Sequence, residues 1–270
     1  MSLAKATRLV SLTRLDGAAT EVRTDALAAE EPLEIRVGGR SLAVVMRTPG
    51  HDRELAAGFL VTEGIVRRRE EVLDVVYCRA DGGAPAENIL DVLLAPGTSV
   101  DLARFTRHVF TSSSCGICSK ASIDAVRSQF PSIPVPMAPP RAVLAALPEK
   151  LRRVQVGFDA TGGLHASALF DAAGVLRIVR EDVGRHNALD KVIGHAFFAE
   201  RLPLAGHILL VSGRGSFEIM QKALAAGLPC VAAISAPTSA AVEFAQAAGQ
   251  TLVGFLRGER MNVYAGTLAE

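Results

Sequence analysis

Apolar and polar positions alternate through Leu33, Ile35 and Val37 and again through Leu42, Val44 and Met46, with Gly38-Gly39 between the two runs. Period-two alternation around a glycine pair predicts a β-hairpin. From Asp52, a residue suited to an N-cap, Leu55, Phe59 and Thr62 recur at helical spacing, and Gly64 supplies the residue that closes such a helix. Residues 72–77 and 89–94 are β-rich runs around a glycine-rich loop. The small-residue stretch 111–118 leads into a helix with Ile123, Val126 and Phe130 on its apolar side, stopped by Pro131. Pro131, Pro134, Pro136, Pro139 and Pro140 mark a linker, which divides the chain into an N-terminal lobe, residues 1–135, and a second lobe, residues 136–270.

The second lobe is more regular. Helical segments start at Arg141 and at Pro148, the latter with Leu151, Val154 and Phe158 on one face. Strands at 164–170 and 175–180 flank the turn Asp171-Ala172-Ala173-Gly174. A helix bearing Leu189, Val192, Ile193, Ala196 and Phe197 follows, then a strand at 207–211 and a helix at 217–226 closed by Gly227. A strand at 230–235, a helix at 237–248 closed by Gly249 and a strand at 251–256 complete the series. Buried strands separated by single helices predict right-handed crossovers, a largely parallel sheet covered on both faces, and the α/β class.

Composition narrows the function. With 270 residues, 49% apolar and 21% charged, the chain can bury a substantial core, and order is expected beyond the first dozen or so positions. The net charge of +1 argues against a broad surface for nucleic acid or an anionic membrane, so an anion site must be local. Residues 1–16 mix Lys5, Arg8 and Arg14 with single apolar residues and lack a signal-peptide core, and the apolar runs are strand-sized. Four cysteines make no disulfide framework, which points to a reducing, cytoplasmic setting. The arginine run Arg67-Arg68-Arg69 reads first as a solvated face and second as a patch for docking a partner.

Ligand loops of such sheets lie beyond the carboxyl ends of the strands. Ser212-Gly213-Arg214-Gly215-Ser216 and Ser235-Ala236-Pro237-Thr238-Ser239 both occupy that edge and open helices, offering amides, hydroxyls and an arginine to a phosphate or pyrophosphate. Turn geometry with a serine cap accounts equally well for either loop alone. Phe255, Leu256, Arg257, Gly258, Glu259 and Arg260 put an aromatic, two arginines and a carboxylate at the same edge, which suits a guanine nucleotide or a charged hairpin turn. The sharpest chemical feature is Cys115-Gly116-Ile117-Cys118 at a helix start with Lys120 nearby, where a thiolate gains from the helix amides and the ammonium. A Cys-x-x-Cys pair serves a dithiol redox centre, half a zinc site or a persulfide carrier. Zinc fits least, because Cys78 and Cys230 lie in predicted strands and the chain holds no His-x-Glu. The run from Glu181 to Asn187, with Asp190 and Lys191 a turn later, reads either as an active-site loop or as a helix capped by Asn187. His51, His108, His195 and His207 are scattered singly and read as structural.

These residues together resemble the FdhD family, the accessory sulfurtransferases of formate dehydrogenase. The likeness rests on Glu31-Pro32-Leu33, Arg47-Thr48-Pro49-Gly50-His51-Asp52, Thr62-Glu63-Gly64, Ser114 to Cys118, Thr161-Gly162-Gly163-Leu164-His165 and Glu181 to Lys191. Ser212-Gly213-Arg214, Ser235 to Ser239 and Met261-Asn262-Val263-Tyr264 extend it. The resemblance implies a cytidine-deaminase-like three-layer α/β core without the deaminase zinc, a smaller N-terminal α+β lobe, and homodimers. It implies further that Cys115 accepts sulfur from a cysteine desulfurase as a persulfide, with Cys118 as an auxiliary thiol or a tuner of the loop. The sulfur passes to the bis-molybdopterin guanine dinucleotide form of the molybdenum cofactor, bound as substrate at Phe255 to Arg260, for formate dehydrogenase as client. A cofactor-binding chaperone without sulfur transfer is the competing expectation. Ser119 departs from the glycine expected after the cysteine pair.

Overall fold

A computed structural model of the chain describes residues 3–79, 85–98 and 129–270. A short helix α1 (Leu3–Ala6) leads into a hairpin of β1 (Thr7–Asp16) and β2 (Ala19–Ala28), paired over ten residues without a register shift. Sequence patterning named no element before Leu33, and this arm fills part of that stretch. Its apolar residues stay largely in solvent: Leu9, Leu15 and Val22 are each more than 70% exposed.

The next sheet has β3 (Glu31–Val37) and β4 (Arg40–Arg47) as the predicted hairpin, turned by Gly38 and Gly39 at positive φ, with β5 (Val72–Arg79) and β6 (Pro85–Leu94) beside it in the order β4-β3-β6-β5. Helix α2 (Asp52–Thr62) packs on it through Leu55 and Leu60. Its N-cap is His51, in the left-handed region at φ 59°, rather than Asp52. The Asp52 carboxylate is already committed, accepting from Arg47 Nε and Nη2 and from Gly50 N, all at 3.1 Å.

Residues 131–139 carry no helix or strand, as the prolines predict, yet they are tied to the second lobe: Ile133 N donates to Ala248 O and Thr251 Oγ1 to Met137 O. One helix, α3 (Arg141–Arg152), replaces the two expected, with Pro148 inside it; α4 (Val156–Thr161) follows. The main sheet comprises β7 (His165–Asp171), β8 (Leu176–Asp182), β9 (His207–Val211), β10 (Cys230–Ala233), β11 (Thr251–Arg257) and β12 (Arg260–Ala265), in the order β12-β11-β10-β9-β7-β8. Helices α5 (Arg185–Phe198), α6 (Phe217–Ala225) and α7 (Ser239–Ala248) alternate with its strands.

The sheet is mixed rather than largely parallel. Only β9-β10 and β10-β11 pair in parallel, because β7 joins β8 and β9 antiparallel and β12 folds back on β11. Strand alternation sorts the core: Leu169, Leu209, Val211, Val231 and Leu252 face α5, α6 and α7, while Ala168, Phe170, Leu210, Ala232 and Val253 face Leu144, Leu147 and Leu151 of α3. The first of these cores continues through Leu33, Leu55, Leu60 and Leu90, so one apolar interior joins the N-terminal sheet to the main one. Where α2 crosses α5, a Cβ on Gly58 would lie 1.8 Å from Asp190 O and one on Gly194 would lie 1.8 Å from Glu54 O. Only glycine permits backbones that close.

Candidate functional site: a cationic cradle at the sheet edge

The strands β8, β9, β10 and β11 share one direction and end at the edge where antiparallel β7 begins. His165, the loop after Asp182, the two serine loops and the turn after Arg257 are therefore neighbours. The loops are stitched together. Gly215 N donates to Ala236 O (3.2 Å), Thr238 N to Gly215 O (3.1 Å) and Phe255 N to Ser235 O (3.1 Å). Ser216 Oγ accepts from Ile219 N and Thr238 Oγ1 from Ala241 N, so these hydroxyls cap α6 and α7.

The residues Phe255 to Arg260 form the hairpin end joining β11 to β12, with Gly258 at φ 58°. A bulge between Gly254 and Arg257, with Phe255 itself at φ 52°, reverses the alternation. As a result Phe255 is exposed beside Arg257, Glu259 and Arg260, whereas Leu256 is fully buried against α3 and anchors the strand. Arg141 Nη2 donates to Glu259 O at 3.3 Å and steadies the turn.

The run from Glu181 to Lys191 resolves into two roles. Glu181 accepts from Gly157 N and Phe158 N, both at 2.8 Å, at the start of α4. Asp182, fully buried, pairs with Lys191 Nζ at 2.6 Å and accepts from Thr48 N (3.2 Å), Gly184 N (2.8 Å) and Asn187 Nδ2 (3.0 Å). Thr48 Oγ1 accepts from Val183 N at 3.1 Å, and Lys191 Nζ also donates to Thr48 O at 2.8 Å. Gly184, not Asn187, is the N-cap of α5. A second buried pair, Asp190 and Lys222 at 2.9 Å, is shared with Thr62 of α2. These ions are fully engaged and hold the N-terminal sheet's loops to the edge of the main sheet.

Arg185 and His186 are the remainder of that run. A Cβ on Gly213 would lie 3.4 Å from His165 Nδ1 and 3.6 Å from Arg185 Cδ, so His165 and the Arg185 stem pack over the glycine in ordinary contact. Burial, followed by the charge of Arg185, lowers the His165 pKa against the pull of Asp182, and Arg214 adds to the lowering. Arg185 Nε is buried without a hydrogen-bond partner, and among the described residues neither Arg185 nor Arg214 forms a salt bridge. His186 Nδ1 lies 3.2 Å from Glu218 Oε1; burial, then Arg185 and Lys222, lowers its pKa to about 3, so the ring is neutral.

Away from this edge, Glu54 accepts from Arg180 at 2.6 and 2.7 Å and contacts His195 Nδ1 at 3.0 Å and His51 Nδ1 at 3.3 Å. Burial raises the Glu54 carboxyl, but Arg180 and the histidines outweigh it and hold the pKa below the usual range. His51 and His195 thus serve one carboxylate rather than standing alone. Cys230 is buried and its thiol is pushed up to about 12 by burial, the behaviour of a small hydrophobe. The pair Cys115 and Cys118, its loop and helix, and His108 lie outside the described residues. The convergence of His165 and Arg185 at Gly213 was not read from the sequence, although all three belong to runs singled out there.

Fold and edge together define an α/β protein, with three sheets among the described residues and a cationic loop edge. The chain belongs to the FdhD/NarQ family, whose model matches residues 28–269. It is 53% identical over 257 residues to a sulfur carrier protein FdhD from Mycolicibacterium paratuberculosis, covering 94% of each chain. It is 55% identical over 249 residues to that of Mycobacterium tuberculosis, covering 90% of each, and 52% identical over 260 residues to that of Streptomyces avermitilis, covering 94% and 92%. A crystal structure of a protein from Desulfotalea psychrophila assigned as a formate dehydrogenase accessory protein has the same fold, with a TM-score of 0.75, 22% identity and 97% of both chains covered.

Proposed function

We propose that this chain is a sulfur carrier that takes persulfide sulfur from a cysteine desulfurase onto Cys115 and passes it to the bis-molybdopterin guanine dinucleotide molybdenum cofactor, required by formate dehydrogenase. The observation that carries the reading is identity above 50% over at least nine tenths of the chain to relatives named sulfur carrier protein FdhD. In support, the edge bearing Arg185, Arg214, Arg257 and Arg260 offers cationic groups to a nucleotide. In this reading residues 1–135 carry the cysteine loop, residues 136–270 form a cytidine-deaminase-like nucleotide-binding lobe, and the protein acts in the cytoplasm as a homodimer. Phe255, Arg257, Gly258, Glu259 and Arg260 receive the guanine nucleotide, with Leu256 as their buried anchor.

The Cys115 thiolate attacks the outer sulfur of the donor persulfide; a new S–S bond forms at Cys115, the donor S–S bond breaks, and the donor cysteine leaves as thiolate. Release follows when Cys118 thiolate attacks Cys115 Sγ. The two cysteines become a disulfide, their electron pair reduces the outer sulfur to hydrosulfide, and hydrosulfide with one proton from solvent replaces an oxo ligand of the molybdenum substrate, which leaves as water. A cellular dithiol then restores both thiols.

Incubation with a cysteine desulfurase and L-cysteine, followed by peptide mass measurement without reductant, tests the first step. A sulfur-sized increment on Cys115 is expected, and its absence with an active desulfurase would remove the carrier reading. The competing chaperone reading is favoured by the fact that the described cationic groups all suit binding. It predicts that Cys115→Ala still activates formate dehydrogenase, where the carrier reading predicts cofactor binding without activation. Full activity of Cys118→Ala without added reductant would exclude the disulfide release step.

A further inference from the structure

The β1-β2 arm is a two-stranded sheet, with no third strand on either side among the described residues. A ribbon of two strands is marginal in water and gains from a further strand, and its open edges are templates for pairing. The root of the arm is fixed by buried Ala6, which accepts from Ala29 N at 2.8 Å, and by the ion pair of Arg8 with Glu31. Farther out, Leu9, Leu15 and Val22 stand in solvent. Pairing begins at Asp16 and Ala19 across the two-residue turn Gly17-Ala18, so that pair is hydrogen-bonded. By alternation the even-numbered residues of β1 bond to β2, while Leu9, Ser11, Thr13 and Leu15 turn amide and carbonyl outward.

The sequence of β1 complements its own reverse. Two β1 strands laid antiparallel about Leu12 set Leu9 opposite Leu15, Ser11 opposite Thr13 and Arg8 opposite Asp16 of the second copy. A slip of one residue would put the uncharged face of one ribbon against the charged face of the other, and centring on Ser11 would oppose Arg8 with Arg14. We propose that the outer edge of β1 joins the same edge of a second copy of this chain in the register about Leu12, giving a four-stranded sheet across a twofold axis. Leu9 and Leu15 of each copy cover those of the other, and the outward amides gain acceptors. Arg8 keeps donors for both Glu31 and the second copy's Asp16, since a guanidinium carries five. A homodimer is part of the function proposed above, and the inference rests on that reading; what it adds is the surface, an arm that ends where the family match begins, at residue 28.

Sedimentation velocity of the full-length protein over a concentration series tests this. Wild type is expected to dimerise. Asp16→Arg, which opposes arginines at both ends of the paired strands, should weaken the dimer by about tenfold or more, and Arg8→Asp should do the same with carboxylates. An equimolar mixture of these two variants restores an arginine and an aspartate at each end and should dimerise as wild type does, which a damaged arm would not. Ser11→Pro, which removes an outward amide and leaves the bonds to β2, should abolish the dimer. A monomeric wild type, a dimer indifferent to all three substitutions, or a mixture as weak as its components would each overturn the proposal. Indifference to the substitutions would leave the homodimer standing on another surface, whereas a monomeric wild type would remove the homodimer as well. The persulfide measurement on Cys115 is independent of every one of these results.

Discussion

His51 and His186 each lose the ability to hold a proton, for the same first reason, burial. The His51 pKa falls to about 4, with Arg180 adding to burial, and that of His186 to about 3, with Arg185 and Lys222 adding to it. An unfolded chain binds a proton at either ring near the ordinary value of about 6.5, so folding excludes that proton at any pH between the two values. The stability these groups confer is complete above about pH 6.5 and is lost as pH falls toward the folded values, by up to about 1.4 kcal/mol per pH unit for each ring. Glu218, raised chiefly by burial, acts in the opposite sense, but its side chain is 40% exposed and the effect is smaller. Urea midpoints should therefore fall between pH 7 and pH 5, and His186→Gln should show a shallower fall. An unchanged slope in the variant would mean that His186 titrates normally.

At the scale of elements, the α2 and α5 crossing is the tightest joint in the fold. Gly58→Ala or Gly194→Ala would press a methyl against backbone oxygen at 1.8 Å, where no rotamer change relieves it. The cost should exceed the ~1–3 kcal/mol typical of overpacking and should appear as a lower denaturation midpoint. Gly206→Ala, with nothing within 4 Å of the added carbon, should stay within about 0.5 kcal/mol of wild type. The β1-β2 arm is the opposite case. Its pairs Leu9/Ala26, Ser11/Thr24, Thr13/Val22 and Leu15/Thr20 form an uncharged face, while Arg8, Arg14, Arg23, Asp16, Glu21 and Asp25 share the other. The family model starts at residue 28, where this arm ends.

For the whole molecule, the N-terminal sheet does more than share a core. Its loop residue Thr48 is buried between Val183 and Lys191, and its hydroxyl accepts the Val183 amide one step before Gly184 and Arg185. Thr48→Val keeps the shape and leaves that part-buried amide without its partner, at a cost of about 1 kcal/mol. If the loop positions Arg185, the variant should bind pyrophosphate several-fold more weakly, and Thr48→Ser, which keeps the hydroxyl, should restore affinity. Equal affinity in all three proteins would reduce Thr48 to a purely structural role.

Much of this was legible in the chain. The glycine-turned hairpin at Gly38-Gly39, the helix ending at Gly64 and the alternating strands and helices after Leu164 follow from local periodicity and turn chemistry, which short stretches of sequence encode directly. Family membership was equally legible, since it rests on ordered motifs and needs no contacts. Other features depended on partners distant in sequence. The direction of β7 and β12, the bulge that turns Phe255 out and Leu256 in, and the commitment of Asp182 to Lys191 and Thr48 are decided by which strands and loops meet. The same holds for the meeting of His165 and Arg185 over Gly213: β7 delivers the histidine antiparallel beside β9, and the end of β8 delivers Arg185 at the start of α5.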